Sequence, residues 1–273
     1  MMKFTLLMCL YEKESPLFLL ECFESIANLT VKPAEIVIVK DGPLPNELEA
    51  VLDKTKESCD IPRTIVALPE NVTLGPARAE GVTAAKYEWV AVMDTDDICR
   101  SDRFEKQLEM IKANPELGLI GGQISEFEGN ISSESTTHNR TVPIDHEDII
   151  NFAKFRSPFN HMTVMFKRDE VLRAGNYRLF TWFEDYDLWT RMIKNGTICA
   201  NHRDVLVDAR MGADSYSRRR GKAYIRSEWR MQKQLKSLGI ITGTEFLRNT
   251  AIRIPVRLLP GKVLQRIYRG VLR

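Results

Sequence analysis

The chain has 273 residues, 44% of them hydrophobic and 28% charged, with a formal net charge of +2 at pH 7. That is enough apolar material for a sizeable core, and too little net charge for a nucleic-acid binder, which needs a concentrated basic surface. Five scattered cysteines, Cys9, Cys22, Cys59, Cys99 and Cys199, show no Cys-x-x-Cys spacing and indicate neither a disulfide framework nor a zinc site.

Residues 1–10 are apolar but give way to Tyr11-Glu12-Lys13-Glu14 without a small-residue cleavage site, so a buried strand is expected there rather than a signal peptide. A helix opens at Ser15-Pro16, an apolar run covers 35–39, and a helix covers about 48–56. A strand at 64–68 follows, then a helix from Gly75-Pro76 to Lys86, then a strand at 88–93 that ends in Asp94-Thr95-Asp96-Asp97. Proline in the first turn suits both helix starts. This alternation predicts a largely parallel sheet with crossover helices, in which ligands bind at the carboxyl ends of the strands. Those ends carry Tyr11, Asp41 and the Asp94 cluster.

The second half reads as a helix over 101–113, apolar segments at 117–124 and 163–166, and a polar stretch at 129–140 expected to be a mobile loop over the site. A helix over 184–195 closed by Gly196, a strand at 205–209 and a helix over 224–238 closed by Gly239 complete the pattern. No apolar run reaches the roughly 20 residues that span a bilayer, so membrane contact is expected to be peripheral.

Carboxylates crowded at one strand end repel and raise each other's pKa unless a cation sits among them. The acidic cluster therefore suits magnesium or manganese, whose remaining ligands are commonly substrate phosphates. The alternative is that Asp97 caps the next helix and the other acids are solvated.

Several segments together resemble family 2 of the glycosyltransferases. They are Leu7-Met8-Cys9-Leu10-Tyr11, Ile36-Val37-Ile38-Val39-Lys40-Asp41-Gly42, Asn71 with Leu74-Gly75-Pro76-Ala77-Arg78, Asp94-Thr95-Asp96-Asp97 and Glu184-Asp185-Tyr186-Asp187-Leu188-Trp189. The resemblance implies an α/β GT-A fold: a Rossmann-like, mostly parallel central sheet, flanking helices and a C-terminal helical tail. It divides the chain into a nucleotide-sugar-binding half at 1–100, an acceptor-binding half at 101–215 and a basic helical extension at 216–273.

It also implies an inverting, metal-dependent transfer from a nucleoside-diphosphate sugar to a glycan hydroxyl. Tyr11 and Asp41 would hold the donor base, Arg78 would lie near base or diphosphate, Asp94 would contact the ribose and Asp96 would bind Mn2+ or Mg2+. Asp185 would be the general base, with Glu184 orienting the acceptor. Read locally, Tyr11 also suits core packing and the Glu184-Asp185 pair also suits a helix N-terminus. Trp182 could stack on an acceptor sugar or pack as a lid, and His161 is either an acceptor contact or a structural histidine.

Three departures stand out. Lys40 and Glu12 replace an acid and an asparagine that many relatives carry. The histidine that many supply as a later metal ligand is missing from Val207-Asp208-Ala209-Arg210-Met211-Gly212, and His202 lies on the wrong side of that strand to replace it.

Ser217-Arg218-Arg219-Arg220-Gly221-Lys222 is either a lid over the diphosphate or a solvated basic turn. After Glu245 the sequence has no acid but carries Arg248, Arg253, Arg257, Lys262, Arg266, Arg269 and Arg273 among apolar residues. A peripheral site on the cytoplasmic face of the inner membrane is expected, with a polyprenyl-diphosphate-linked glycan as acceptor by family analogy. The competing arrangement packs this tail on its own domain or a second subunit, broken by Pro255 and Pro260. A sugar nucleotidyltransferase would begin with a glycine-rich phosphate loop, which is absent here. A silent membrane scaffold would be expected to lose Asp96 or Asp185, and both are present.

Overall fold

The computed structural model describes residues 2–129, 138–212 and 220–257. Its first half alternates β1 (Phe4–Leu10), α1 (Pro16–Ala27), β2 (Glu35–Lys40), α2 (Asn46–Ser58), β3 (Arg63–Ala67), α3 (Leu74–Ala84) and β4 (Trp89–Val92). β5 (Ile98–Cys99), α4 (Arg103–Ala113), β6 (Leu117–Phe127), β7 (His138–Arg140) and α5 (His146–Phe152) follow. A 3-10 turn at His161–Thr163 leads into β8 (Met165–Lys167), α6 (Arg168–Arg173), α7 (Glu184–Lys194), β9 (Ile198–Arg210), α8 (Gly221–Ser237) and α9 (Gly243–Val256).

Among the described residues the strands form one sheet in the order β3-β2-β1-β4-β8-β6-β9-β5, with β7 on β6. β1 to β4 are mutually parallel, β8 runs against both neighbours, and β6 and β9 are parallel again. Successive residues of β1 serve opposite layers, as the two-residue strand period requires. Phe4, Leu6, Met8 and Leu10 meet α1, α2 and α4 through Leu19, Phe23, Leu48 and Phe104. Leu7 faces the other layer, with Ala77 and Val82 of α3 and Leu188, Trp189 and Met192 of α7. Strands covered on both faces read as unbroken apolar runs, which is why the sequence marks them clearly.

Ser15 caps α1, with Pro16 in its first turn. α7 is followed by Gly196 at φ 86, the left-handed conformation in which glycine ends helices.

The expected loop at 129–140 is replaced at its far end by β7, which pairs with β6 through His138, Asn139 and Arg140; residues 130–137 lie outside the described residues. Two cations of the basic tail follow the competing arrangement and pack on the chain's own domain. Arg253 of α9 and Arg257, its C-cap, turn inward to Glu228 of α8, at 2.5 and 3.0 Å, and Pro255 sits in the last turn of α9 instead of dividing it. Residues 258–273 lie outside the described residues. Phe180, Phe183, Tyr186, Tyr224, Met231 and Leu235 form a smaller cluster that fastens the α8–α9 pair to the start of α7. No helix among the described residues is long and apolar enough to cross a membrane.

Candidate active site

β1 and β2 end side by side. Leu10 pairs with Lys40, and the Asp41 N–H donates to the Leu10 carbonyl at 2.7 Å, so Tyr11 and Asp41 leave the sheet together. Tyr11 is half-buried and Asp41 buried. Asp41 Oδ1 accepts from the Val72 N–H at 2.7 Å, and the Asn71 side-chain amide donates to the Asp41 carbonyl at 3.3 Å. Burial pushes the Asp41 carboxyl up against the lowering effect of the Val72 and Thr73 N–H groups. These bonds hold Thr73 at φ 73, ψ 161, a conformation that costs a β-branched residue about 1–3 kcal/mol. Lys40 is drawn away to Glu49 of α2, at 2.6 Å.

Asp94 follows β4, and Arg78 reaches it from α3: Nη2 donates to Asp94 Oδ1 at 2.9 Å, while Nη1 stands 3.7 Å from Glu184 Oε1. The Arg78 side chain is only 6% exposed, so this guanidinium is committed to the two acids. Burial alone would raise Asp94, but the hydrogen-bonded Arg78 guanidinium holds it well below the usual carboxylate range. Its outer edge stays wet, with 29% of the side chain exposed, and solvent there tempers the effect. Glu184 shifts the other way: burial raises it, with Asp185 and Asp94 adding to the rise against the charge of Arg78.

His161 is buried at the start of the 3-10 turn, with Nε2 3.2 Å from the Tyr177 hydroxyl. Its Nδ1 lies 3.7 Å from Asp94 Oδ1, within charge-coupling range but longer than a hydrogen bond. Burial, helped by Arg78, lowers its pKa and favours the neutral imidazole.

The acidic turn is organised by Arg210, the last residue of β9. Its backbone N–H donates to Asp97 Oδ1 at 2.7 Å, Nε donates to the Asp96 carbonyl at 3.0 Å, and Nη2 meets Glu21 of α1 at 2.5 Å. Nη1 bonds the Gly129 carbonyl, and the guanidinium lies 3.9 Å from the centre of the Phe18 ring. Asp97 therefore does not cap α4, whose N-cap is Asp102. Burial, then Asp96 and Asp94, push the Asp97 carboxyl well up. Asp96 is half-buried.

Glu184, Asp185 and Asp187 fill the first turn of α7, where the helix dipole favours negative charge. Asp187 is spent on Arg191 at 2.7 Å, whereas half-buried Asp185 accepts from the Tyr186 N–H of its own turn at 2.7 Å. Trp182 stands before them at φ 68, 39% exposed, its ring 5.2 Å from that of Tyr224. α3 approaches this turn closely: a Cβ at Gly75 would fall 2.3 Å from the Arg178 carbonyl oxygen.

The structure thus joins Arg78, Asp94, His161 and Glu184 in one network, with Asp185 next in the chain and Tyr11, Asp41 and Asp96 at strand ends or turns of the same sheet. His202 sits in β9, its Nδ1 accepting from the Asp204 N–H at 3.0 Å. Tyr177 and Arg210 are the participants that sequence reasoning did not single out. Tyr177 carries no motif signal; Arg210 is marked only as a cation directly after the strand expected at 205–209. Of the basic segment 217–222, residues 217–219 lie outside the described residues and Gly221-Lys222 open α8.

The fold is the GT-A fold of similar solved structures. Residues 5–175 match the family described as Glycosyl transferase family 2, and the chain belongs to it. The amylovoran biosynthesis glycosyltransferase AmsE of Erwinia amylovora is 40% identical over 97% of both chains. The UDP-Gal:alpha-D-GlcNAc-diphosphoundecaprenol beta-1,3-galactosyltransferase of Escherichia coli is 36% identical over 99% of this chain and 97% of its own. Among solved structures, the mannosyltransferase PcManGT of Pyrobaculum calidifontis, in complex with GDP-Man and Mn2+, superposes with a TM-score of 0.66 at 16% identity, covering 98% of this chain and 75% of that one. Relatives of this chain thus include bacterial glycosyltransferases of amylovoran biosynthesis and of galactosyl transfer to a diphosphoundecaprenol-linked sugar.

Proposed function

We propose that the protein transfers a sugar, with inversion, from a nucleoside-diphosphate sugar to a hydroxyl of a glycan carried on a polyprenyl diphosphate, at the cytoplasmic face of the inner membrane. The observation that carries this reading is the Asp94–Arg78–Glu184 chain, which links a strand-end carboxylate to the helix start bearing Asp185. On the donor side, Tyr11 offers a ring to the base, Asp41 accepts a base N–H and Asp94 accepts from the ribose. Arg78 holds the donor-side and acceptor-side acids in register and contributes its charge near the diphosphate.

On the acceptor side, Glu184 orients the sugar, and Trp182 offers it an exposed ring face. Buried His161 acts on this region through Asp94. Asp185 takes the proton of the acceptor hydroxyl as that oxygen bonds to the anomeric carbon; the bond from that carbon to the diphosphate oxygen breaks, and the leaving group departs with the electron pair. One displacement inverts the centre, so an α-linked donor gives a β-linkage.

The acidic turn fits a divalent cation. Asp97 is pushed up partly by Asp96 and Asp94, a crowding of negative charge that a cation relieves. Among the described residues no three His, Cys, Asp or Glu side chains converge into a cage, so the remaining ligands of such an ion would have to come from substrate phosphate and water. Asp96 would hold Mn2+ or Mg2+. When bound, the ion supplies positive charge to the departing diphosphate.

Two similar proteins support the reading: the Escherichia coli galactosyltransferase pairs UDP-Gal with a diphosphoundecaprenol-linked GlcNAc, and PcManGT is solved with GDP-Man and Mn2+. The test is to incubate the enzyme with nucleotide sugars and an undecaprenyl-diphosphate-linked sugar, then read the new anomeric configuration by proton NMR. A β-linkage from an α-donor is expected. An α-linkage overturns the inverting mechanism, and equal use of water-soluble sugars overturns the lipid-linked acceptor.

A further inference from the structure

The facing sides of α8 and α9 are occupied. Glu228 takes both Arg253 and Arg257, and Asn249 bonds Gln232 at 3.2 Å and the Lys154 carbonyl at 2.9 Å. Helical periodicity turns a different set outward: Lys222, Arg226, Trp229, Lys233 and Lys236 from α8, and Leu247 from α9, all exposed. Leu247 is 67% exposed and Trp229 38%, high values for such side chains in a closed surface.

These groups also stand together. Lys233 lies 5.6 Å from the Trp229 ring, Lys236 lies 5.5 Å from the Phe246 ring, and the two rings meet edge-on at 5.1 Å. The acids of the two helices are engaged elsewhere: Glu228 is wholly buried, and Glu245 closes the capping box with Thr242. The outward face is therefore cationic and aromatic, with no acid of its own helices on it. The sequence that follows, 258–273, adds Lys262, Arg266, Arg269 and Arg273 and no acid.

We propose that this outer face of the α8–α9 pair docks on an anionic phospholipid surface. Cations attract lipid phosphates across a Debye length, while an indole and a leucine gain by entering the headgroup boundary. The docking face is joined to the chemistry: Tyr224 of α8 packs on Trp182 at 5.2 Å and on Phe183 at 5.4 Å, directly before Glu184 and Asp185. A protein seated on this face presents its acceptor-side acids at a fixed place relative to the lipid, a consequence that rests on the lipid-linked acceptor proposed above.

The test uses the full chain and needs no turnover. Binding is measured by co-sedimentation with vesicles of phosphatidylglycerol and phosphatidylethanolamine, and with vesicles of phosphatidylcholine alone, at low and high salt. The wild type should bind the anionic vesicles and lose them in salt. Arg226→Glu/Lys233→Glu should weaken binding roughly 20-fold or more, since each cation near such a surface contributes about a fivefold effect. Trp229→Ser/Leu247→Ser should weaken it while leaving nucleotide-sugar hydrolysis unchanged. Equal binding by the charge-reversed variant overturns the proposal, as does equal binding to neutral vesicles. So does a homodimer in sedimentation velocity that these substitutions abolish, because the face would then belong to a second copy. Nucleotide-sugar hydrolysis is scored separately, so loss of the transfer reading and loss of the docking face give different results.

Discussion

Arg78→Met withdraws the charge that stands between Asp94 and Glu184 and fills its space with an apolar side chain of similar reach. Wild-type Arg78 lies 2.9 Å from one carboxylate and 3.7 Å from the other, with its side chain 6% exposed. Removing one partner of a buried ion pair costs about 3–5 kcal/mol, because the remaining charges lose their compensation. In a domain of this size that is a fall on the order of 10 °C in melting temperature.

The pH dependence supplies a sharper test. In the wild type, Asp94 is depressed, so its contribution is present above its unfolded value, 3.8, and is lost as the pH falls towards the folded value. Glu184 is raised, so the folded state holds its proton more tightly than the unfolded chain, and acidification towards its unfolded value, 4.5, favours folding. Without Arg78 the Asp94 carboxyl loses the charge that depresses it and Glu184 loses the charge that opposes its rise, so both move up. The variant's deficit should therefore be largest at pH 8 and shrink as the pH falls to about 4, between the two unfolded values, measured by urea denaturation followed by circular dichroism. A deficit below about 1 kcal/mol, or one equal at both pH values, refutes the bridging role.

Gly75→Ala should destabilise by about 1–3 kcal/mol, because its Cβ would lie 2.3 Å from the Arg178 carbonyl oxygen and backbone must move. Hydrogen exchange should show lost protection at the start of α7, and unchanged exchange there would contradict the close approach. Glu228→Gln should cost about 3–5 kcal/mol by leaving Arg253 and Arg257 facing each other, with deprotection centred on α8 and α9. A loss under about 1 kcal/mol would show that the triad is solvated.

The parts of the fold legible in the sequence are those whose burial is uniform. β1, β2 and β4 are covered on both faces and bounded by turn residues, so their apolar runs mark them. β9 was readable only over its apolar end. Its first half contains His202, Arg203 and Asp204 and becomes strand through pairing with β6 across register shifts, which local periodicity does not encode. α5 and α6, of 7 and 6 residues, are too short to show a helical period.

In the site, the acids were visible as a motif because each sits at a strand or helix end. What connects them was not, since Arg78, Tyr177 and Arg210 act through contacts with chain segments far away in sequence. Arg253 and Arg257 show the converse: read in sequence they belong to a basic tail, whereas the fold spends them on a buried glutamate.

The most direct test of the account is the use of a panel of nucleotide sugars, with manganese and with chelator, by the wild type, Asp96→Ala and Asp185→Asn. The account predicts metal-dependent use of one donor by the wild type. Asp96→Ala should lose the metal response, and Asp185→Asn should lower turnover about 10²–10⁴-fold while still binding the donor. Donor binding without turnover in the wild type, or full activity in Asp185→Asn, would contradict it.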